Sequence, residues 1–194
     1  MLFVRAPVLG VGKRRLAAEA GDVAALRFER AMLGLLSRRL GRDRRWRLRL
    51  AVTPDRSTAR RRLWPSAAAI RPQGVGDLGI RMRRALACCP PGPAVLIGAD
   101  IPQLAARHIA AAFRLLGRHD LVFGPAADGG FWLVGARRSP CLPKLFGTVR
   151  WSGPHALADS LGNLPSRVSV GFAARLEDVD DAAALRRLAP RRLF

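Results

Sequence analysis

The chain has 194 residues, 49% of them apolar and 25% charged, which suits a globular core and excludes disordered and fibrous classes. Lys and Arg number 34 against 14 Asp and Glu, a formal net charge of +20; such a field favours anionic ligands but says nothing about fold. No window approaches the roughly 18 unbroken apolar residues of a membrane span, and the opening Met1-Leu2-Phe3-Val4-Arg5 resembles no secretory leader, so a cytoplasmic protein with no membrane partner is expected.

In chain order, Leu2 to Arg5 reads as a short strand. A Pro/Gly loop follows over 6–12, then a helix over 22–40 with apolar Ala24, Ala25, Phe28, Met32, Leu35 and Leu36 at helical spacing. Leu48 to Val52 is a strand ended by Thr53-Pro54-Asp55, a weak helix spans 56–63, and a short strand covers 68–70. The spacing predicts a helix over 77–87 with Asp77 as its N-cap. Ala94 to Gly98 is an unbroken apolar run of the kind a doubly buried parallel strand requires. A helix over 103–116 and a strand over 121–123 follow. Asp128-Gly129-Gly130 is a tight turn feeding a strand over 131–134, which adds antiparallel pairing. Helices over 152–161 and 182–188 complete the pattern, with strand or loop at 168–170 and 175–179. The alternation of strands and helices predicts a three-layer α/β/α sandwich with a mostly parallel sheet. No linker or composition break divides it, so a single domain over 1–194 is expected.

The charge pattern argues against nucleic acid as the partner. Lys13 and Lys144 are the only lysines; the rest of the excess is Arg spread through the chain, and no complete RRM, KH or helix-turn-helix signal accompanies it. Cys88 and Cys89 are adjacent and Cys141 stands alone, so neither a disulfide framework nor a zinc site is indicated.

Three glycine patterns bear on chemistry. Gly10-Val11-Gly12-Lys13-Arg14-Arg15 sits where the first strand meets its helix. It is not a Walker loop, because Pro7 and Arg14 replace required residues, but backbone N–H groups backed by Lys13 and Arg15 suit a diphosphate. Gly74-Val75-Gly76-Asp77-Leu78-Gly79 is a literal G-x-G-x-x-G, which competes as a dinucleotide fingerprint although it follows a poor strand and is not the first β-α unit. Gly124-Pro125-Ala126-Ala127-Asp128-Gly129-Gly130 places one carboxylate on a glycine-rich turn, where a ligand can approach or where the Asp simply satisfies local N–H groups. Asp100 follows the apolar run at 94–98, at the carboxyl end of a strand, where open α/β sheets bind ligands. A carboxylate there, facing a cationic phosphate loop, suits Mg²⁺ or Mn²⁺ shared with a diphosphate. Within Glu177-Asp178-Val179-Asp180-Asp181, either Asp180 or Asp178 is placed to complete that site if the chain folds back; otherwise the run caps the final helix.

Taken in order, Ala6-Pro7, Gly10, Gly12-Lys13, Arg15-Leu16, then Gln73, Gly76-Asp77-Leu78-Gly79, Arg81-Met82, then Ile97-Gly98, Asp100, Pro102, then Gly124-Pro125-Ala126, Asp128-Gly129-Gly130, Trp151 and Asp178-Val179-Asp180 resemble the DUF2064 group. These are bacterial GT-A-type glycosyltransferase-like proteins, related to 2-phospho-lactate guanylyltransferase and to arsenosugar-biosynthesis glycosyltransferases. The resemblance implies a nucleotide-diphospho-sugar transferase fold and reassigns the Gly74 pattern to a Gln-x-x-Gly-Asp-Leu-Gly block. It implies a nucleotide- and phosphate-binding set of Pro7, Gly10, Gly12, Lys13, Arg15, Gln73, Gly76 and Asp77, with Asp100 and Asp180 on Mg²⁺ or Mn²⁺ and Asp128 as the catalytic or acceptor-side group. The implied reaction is glycosyl transfer from a nucleotide sugar to a small acceptor, with nucleotidyl transfer from an NTP to a phosphorylated small molecule as the alternative; a non-catalytic nucleic-acid-binding protein on the same scaffold is a lesser alternative. Arg14 departs from the Thr usual in the group, and Asp100 is a lone Asp with no Asp-x-Asp.

Overall fold

The computed structural model describes residues 1–65, 69–139 and 141–188. Its contacts divide the chain into two compact units.

The three-stranded unit comprises Leu2–Pro72, Gly98–Ala105 and Asp178–Phe194. Strands β1 (Leu2–Arg5), β2 (Arg49–Thr53) and β3 (Ala69–Pro72) lie in the order β3-β2-β1. All pair in parallel, with Val4 opposite Val52 and Leu50 opposite Ile70. Helix α1 (Arg14–Ala20) is separated from α2 (Asp22–Gly41) by Gly21 at φ 87, a left-handed conformation that ends one helix and admits the next. The long helix forms because Ala25, Phe28, Met32, Leu36 and Leu40 make one buried stripe, with Asp22 in its first turn and Arg38 and Arg39 in its last, as the helix dipole prefers. Helix α6 (Ala182–Leu188) ends the described chain.

The four-stranded unit comprises Met1, Gln73–Ile97 and Ala106–Glu177. Its strands β4 (Ala94–Ile97), β5 (Leu121–Pro125), β6 (Phe131–Ala136) and β7 (Val170–Phe172) lie in the order β4-β6-β5-β7. The expected antiparallel element is β6, which pairs antiparallel with both neighbours and sets Val134 between Leu96 and Phe123, while β5 and β7 are parallel. All four β4 side chains are buried, as its apolar run demands. Helices α3 (Leu78–Ala87) and α4 (Ala106–Leu116) present Met82, Ala85 and Leu86, and Ile109, Ala112 and Leu116, to the core. Helix α5 covers Ala156–Gly162.

Several boundaries differ from expectation for identifiable reasons. The weak helix at 56–63 is a pair of 3-10 turns over 55–59 and 61–63; Arg60-Arg61-Arg62 offers no apolar face to stabilise a longer helix, and Trp64 pins the turns by donating Nε1–H to the Ser57 carbonyl at 2.7 Å. The helix at 103–116 begins three residues late, because Arg39 donates to the carbonyls of Pro102 and Leu104, and Ile101 and Leu104 are buried as loop residues. Helix α1 was not evident from the sequence, since Leu16 is its only buried residue. Of the strand at 68–70, Ala68 lies outside the described residues.

Candidate functional site

The loop after β1 carries the first site residues. Ala6 N–H bonds the Thr53 carbonyl at 2.7 Å, extending the β1–β2 pairing one step, and Val11 N–H closes a turn on Val8 O at 3.2 Å. The loop ends at Lys13, the N-cap residue of α1, held at φ 41, ψ 53 with no side-chain cap bond. A left-handed conformation costs a non-glycine residue about 1–2 kcal/mol and is tolerated where surrounding structure enforces it.

What enforces it is a pair of carboxylates. Lys13 Nζ lies 2.5 Å from Asp100 Oδ2 and donates to Asp180 Oδ1 at 2.8 Å. The lysine side chain is 12% exposed against 34% and 40% for its partners, so the ammonium is largely withdrawn from water while both carboxylates keep part of their hydration, and removing the partners would leave a largely buried charge uncompensated. Burial by itself would depress the Lys13 ammonium; Asp100 and Asp180 outweigh it and hold the pKa above the ordinary lysine value. Arg15 stands 3.6 Å from Asp180 but is 74% exposed, a peripheral contribution.

The acidic run reaches this point through one backbone bond. Val179 N–H donates to the Asp100 carbonyl at 3.0 Å, and Val179 is fully buried. Side chains two apart in extended chain share a face, so burying Val179 turns Asp178 and Asp180 together toward Asp100. One oxygen from each of Asp100, Asp178 and Asp180 falls within 4.8 Å of the others. Burial first, then the charges of Asp100 and Asp180, push the Asp178 carboxyl up to about 6 against the opposing pull of Lys13. Capping of α6 falls to other acids: Asp181 accepts from Ala184 N–H at 2.7 Å and Glu19 from Ala182 N–H at 3.0 Å. The two readings of the run are therefore divided among different residues.

Beside the cluster is a cavity of about 240 Å³ whose lining includes the charged Lys13, Glu29 and Asp100 and the apolar Pro7, Phe28 and Met32. Glu29 lies against Gly12 so closely that a Cβ there would come 1.8 Å from its Oε1; only glycine fits while Glu29 holds that place. Burial pushes the Glu29 carboxyl up to about 6, with Lys13 and Arg5 opposing the rise and Asp100 adding to it. Glu29 was missed by sequence reasoning. The available signal was a charged residue within the buried stripe of α2, between Phe28 and Met32.

Of the expected site residues, Pro7, Gly10, Gly12, Lys13, Arg15, Asp100 and Asp180 belong to the three-stranded unit, and Lys13, Arg15, Asp100 and Asp180 form one charged group. Gln73, Gly76, Asp77 and Asp128 belong to the four-stranded unit. There Gln73 is 1% exposed and accepts from Arg81 at 3.0 Å. Asp77 accepts from Ile80 N–H at 2.8 Å as the N-cap of α3. Asp128 Oδ1 accepts from Gly130 N–H at 2.9 Å, in a turn where Gly129 has φ 86 and meets the Pro154 backbone.

The donor set fits a hard divalent cation. Mg²⁺ takes oxygen ligands at about 2.0–2.1 Å, often one or two carboxylates completed by substrate phosphates; here oxygens of three carboxylates lie within 4.8 Å of one another, and two of those residues, Asp100 and Asp180, also contact the Lys13 ammonium.

Comparison with known structures places the fold. A crystal structure from Desulfovibrio desulfuricans G20, of a protein provisionally named a nucleotide-diphospho-sugar transferase, matches with a TM-score of 0.80 at 24% identity, over 99% of this chain and 91% of that one. The manganese complex of Rv0371c from Mycobacterium tuberculosis H37Rv matches with a TM-score of 0.55 at 19% identity, over 96% and 95%. The 4-diphosphocytidyl-2C-methyl-D-erythritol synthase from Anaerococcus prevotii DSM 20548 matches with 0.56 at 11% identity, over 96% and 92%. The chain therefore shares the α/β fold of these proteins. It belongs to the family described as "Uncharacterized protein conserved in bacteria (DUF2064)", whose model matches residues 36–153. No match was found among curated proteins. Among the described residues no helix is long and apolar enough to cross a membrane.

Proposed function

We propose that this protein is a divalent-metal-dependent transferase that uses a nucleotide-activated donor, with glycosyl transfer from a nucleotide sugar to a small acceptor as its reaction. The observation that carries this reading is the convergence of Asp100, Asp178 and Asp180 on one point beside Lys13 and the glycine loop. A manganese complex of a protein with the same fold supports it.

In this reading Asp100, Asp178 and Asp180 hold Mg²⁺ or Mn²⁺, which when bound offsets the negative charge that develops on the departing diphosphate. Pro7, Gly10 and Gly12 shape the loop over the phosphates, and Lys13 and Arg15 supply charge-assisted hydrogen bonds to them. Gln73, Gly76 and Asp77 form the nucleotide block, and Asp128 orients the acceptor hydroxyl or takes its proton. The acceptor oxygen forms a bond to sugar C1 as the bond from C1 to the diphosphate oxygen breaks, and the nucleoside diphosphate leaves.

Nucleotidyl transfer is the second reading, favoured by the likeness to the methylerythritol cytidylyl enzyme. There an acceptor phosphate attacks the α-phosphate of an NTP and pyrophosphate leaves. Incubation with UDP-glucose, GDP-mannose or GTP, with Mg²⁺ or Mn²⁺ and a panel of hydroxylated and phosphorylated acceptors, separates the two. Released nucleoside diphosphate identifies glycosyl transfer and released pyrophosphate identifies nucleotidyl transfer. Nucleotide binding that is indifferent to divalent ions would overturn both.

A further inference from the structure

Lys13 stands in an unusual position for a group meant to grip phosphate. Its ammonium makes two contacts, at 2.5 and 2.8 Å, and both go to carboxylates of the acidic cluster. It is nearly buried at 12% exposure, and the backbone carries it at φ 41, in a conformation glycine would occupy without cost. Gly10 and Gly12 precede it in the same loop, so the strain at position 13 is borne by a residue whose side chain is needed. Three carboxylates with oxygens within 4.8 Å repel one another, and the ammonium answers that repulsion. It engages Asp100 and Asp180, two of the three carboxylates on which a divalent cation would draw.

Resting on the metal-dependent reading above, we propose that Lys13 is a built-in counter-ion of the carboxylate cluster. The side chain and a divalent cation compete for Asp100 and Asp180, and metal entry releases the ammonium from the carboxylates to the diphosphate. An ammonium nitrogen and an Mg²⁺ ion cannot both lie within bonding distance of the same two oxygens without close cation–cation repulsion. The carboxylates part from Lys13 when the ion enters, and Lys13 is then a free cation at the end of the Gly10–Gly12 loop. A diphosphate bound there takes up that charge. Metal and diphosphate thus bind cooperatively, because each removes a cost of binding the other: the metal frees Lys13 for phosphate, and phosphate draws Lys13 away from the metal ligands. With no divalent ion, Lys13 keeps the cluster neutral enough to stay folded; with no diphosphate, it holds metal affinity down.

The test reads metal binding directly. Mn²⁺ is titrated into the full chain, wild type and Lys13→Met, by electron paramagnetic resonance of free Mn²⁺, with and without inorganic pyrophosphate, alongside melting temperatures. The expected result is Mn²⁺ affinity at least ten-fold tighter in Lys13→Met. The strengthening of Mn²⁺ binding by pyrophosphate seen in wild type should be lost or sharply reduced in the variant. A melting temperature that falls in Lys13→Met without metal and is restored by Mn²⁺ also supports the proposal. Equal or weaker Mn²⁺ binding by Lys13→Met overturns it, and Lys13→Gln is read in the same way should the Met variant fail to fold under all conditions. The underlying site is judged separately with Asp100→Asn. Mn²⁺ binding unchanged by Asp100→Asn sinks the metal site itself, whereas binding lost in Asp100→Asn but unaltered by Lys13→Met sinks only the counter-ion role.

Discussion

Both units set Asp carboxylates on backbone amides, as Asp181 shows in the three-stranded unit, but among the described residues only the three-stranded unit also directs carboxylates at a nearly buried lysine. In the four-stranded unit, Asp77, Asp120, Asp128 and Asp159 each accept from a nearby backbone N–H, of Ile80, Ser169, Gly130 and Arg150 respectively. Asp77 caps a helix and Asp128 closes a turn, while Asp120 and Asp159 tie separate segments together, Asp159 being held well below the usual carboxylate range by its bidentate Arg150. In the three-stranded unit, Asp100 and Asp180 are directed at the Lys13 ammonium, and Asp178 is raised to about 6 by burial beside them. A carboxylate engaged by an amide is occupied with structure; one facing a single mobile cation can exchange that cation for another. The difference lies in which neighbours the fold supplies.

Three substitutions sharpen this contrast. The largest effect is expected for Asp100→Asn, which removes a charged oxygen ligand. Mn²⁺ affinity should fall by more than the roughly 10–100-fold typical of losing a group that merely supports a ligand, with circular dichroism unchanged. Retained affinity would place the metal elsewhere. Next is Asp77→Ala, which strips the α3 N-cap and should cost about 1 kcal/mol of stability, roughly 2–4 °C in melting temperature for a chain of this size. Mn²⁺ affinity should not move, and a loss of metal binding here would erase the distinction between the units.

The smallest effect is a pH dependence at Glu29. Its carboxyl titrates at about 6 in the fold against an ordinary value of 4.5, so the folded state holds the proton more tightly than the unfolded chain. That contribution to stability is present below about 4.5 and is lost as pH rises through about 6. Glu29→Gln cannot ionise and escapes the loss. Melting temperatures measured from pH 4 to 7.5 should therefore shift in favour of the variant across that interval. A difference that stays flat with pH would show that Glu29 feels no such environment.

Much of the architecture was legible in the sequence. The apolar run at 94–97, the stripe on α2 and the Asp128-Gly129-Gly130 turn each follow from local periodicity or turn chemistry. Asp100 was legible as a candidate because it is a carboxylate directly after a buried strand, at the edge where open α/β sheets bind ligands. Boundaries at 55–63 and 103–105 were not, since an indole hydrogen bond across seven residues sets the first and a guanidinium from α2, more than sixty residues away, sets the second.

The sequence by itself determined an α/β chain, a cationic glycine loop and an isolated Asp after an apolar strand, because period, turn residues and charge are local properties. Only the tertiary structure decided that Asp178 joins Asp180 at Asp100 while Asp181 caps a helix, that Lys13 fills the cluster, and that Glu29 presses on Gly12. The placement of Asp178 and Asp180 at Asp100 follows one long-range bond, Val179 N–H to the Asp100 carbonyl, and the burial of a single valine. Contacts between residues nearly eighty positions apart leave no mark on local spacing.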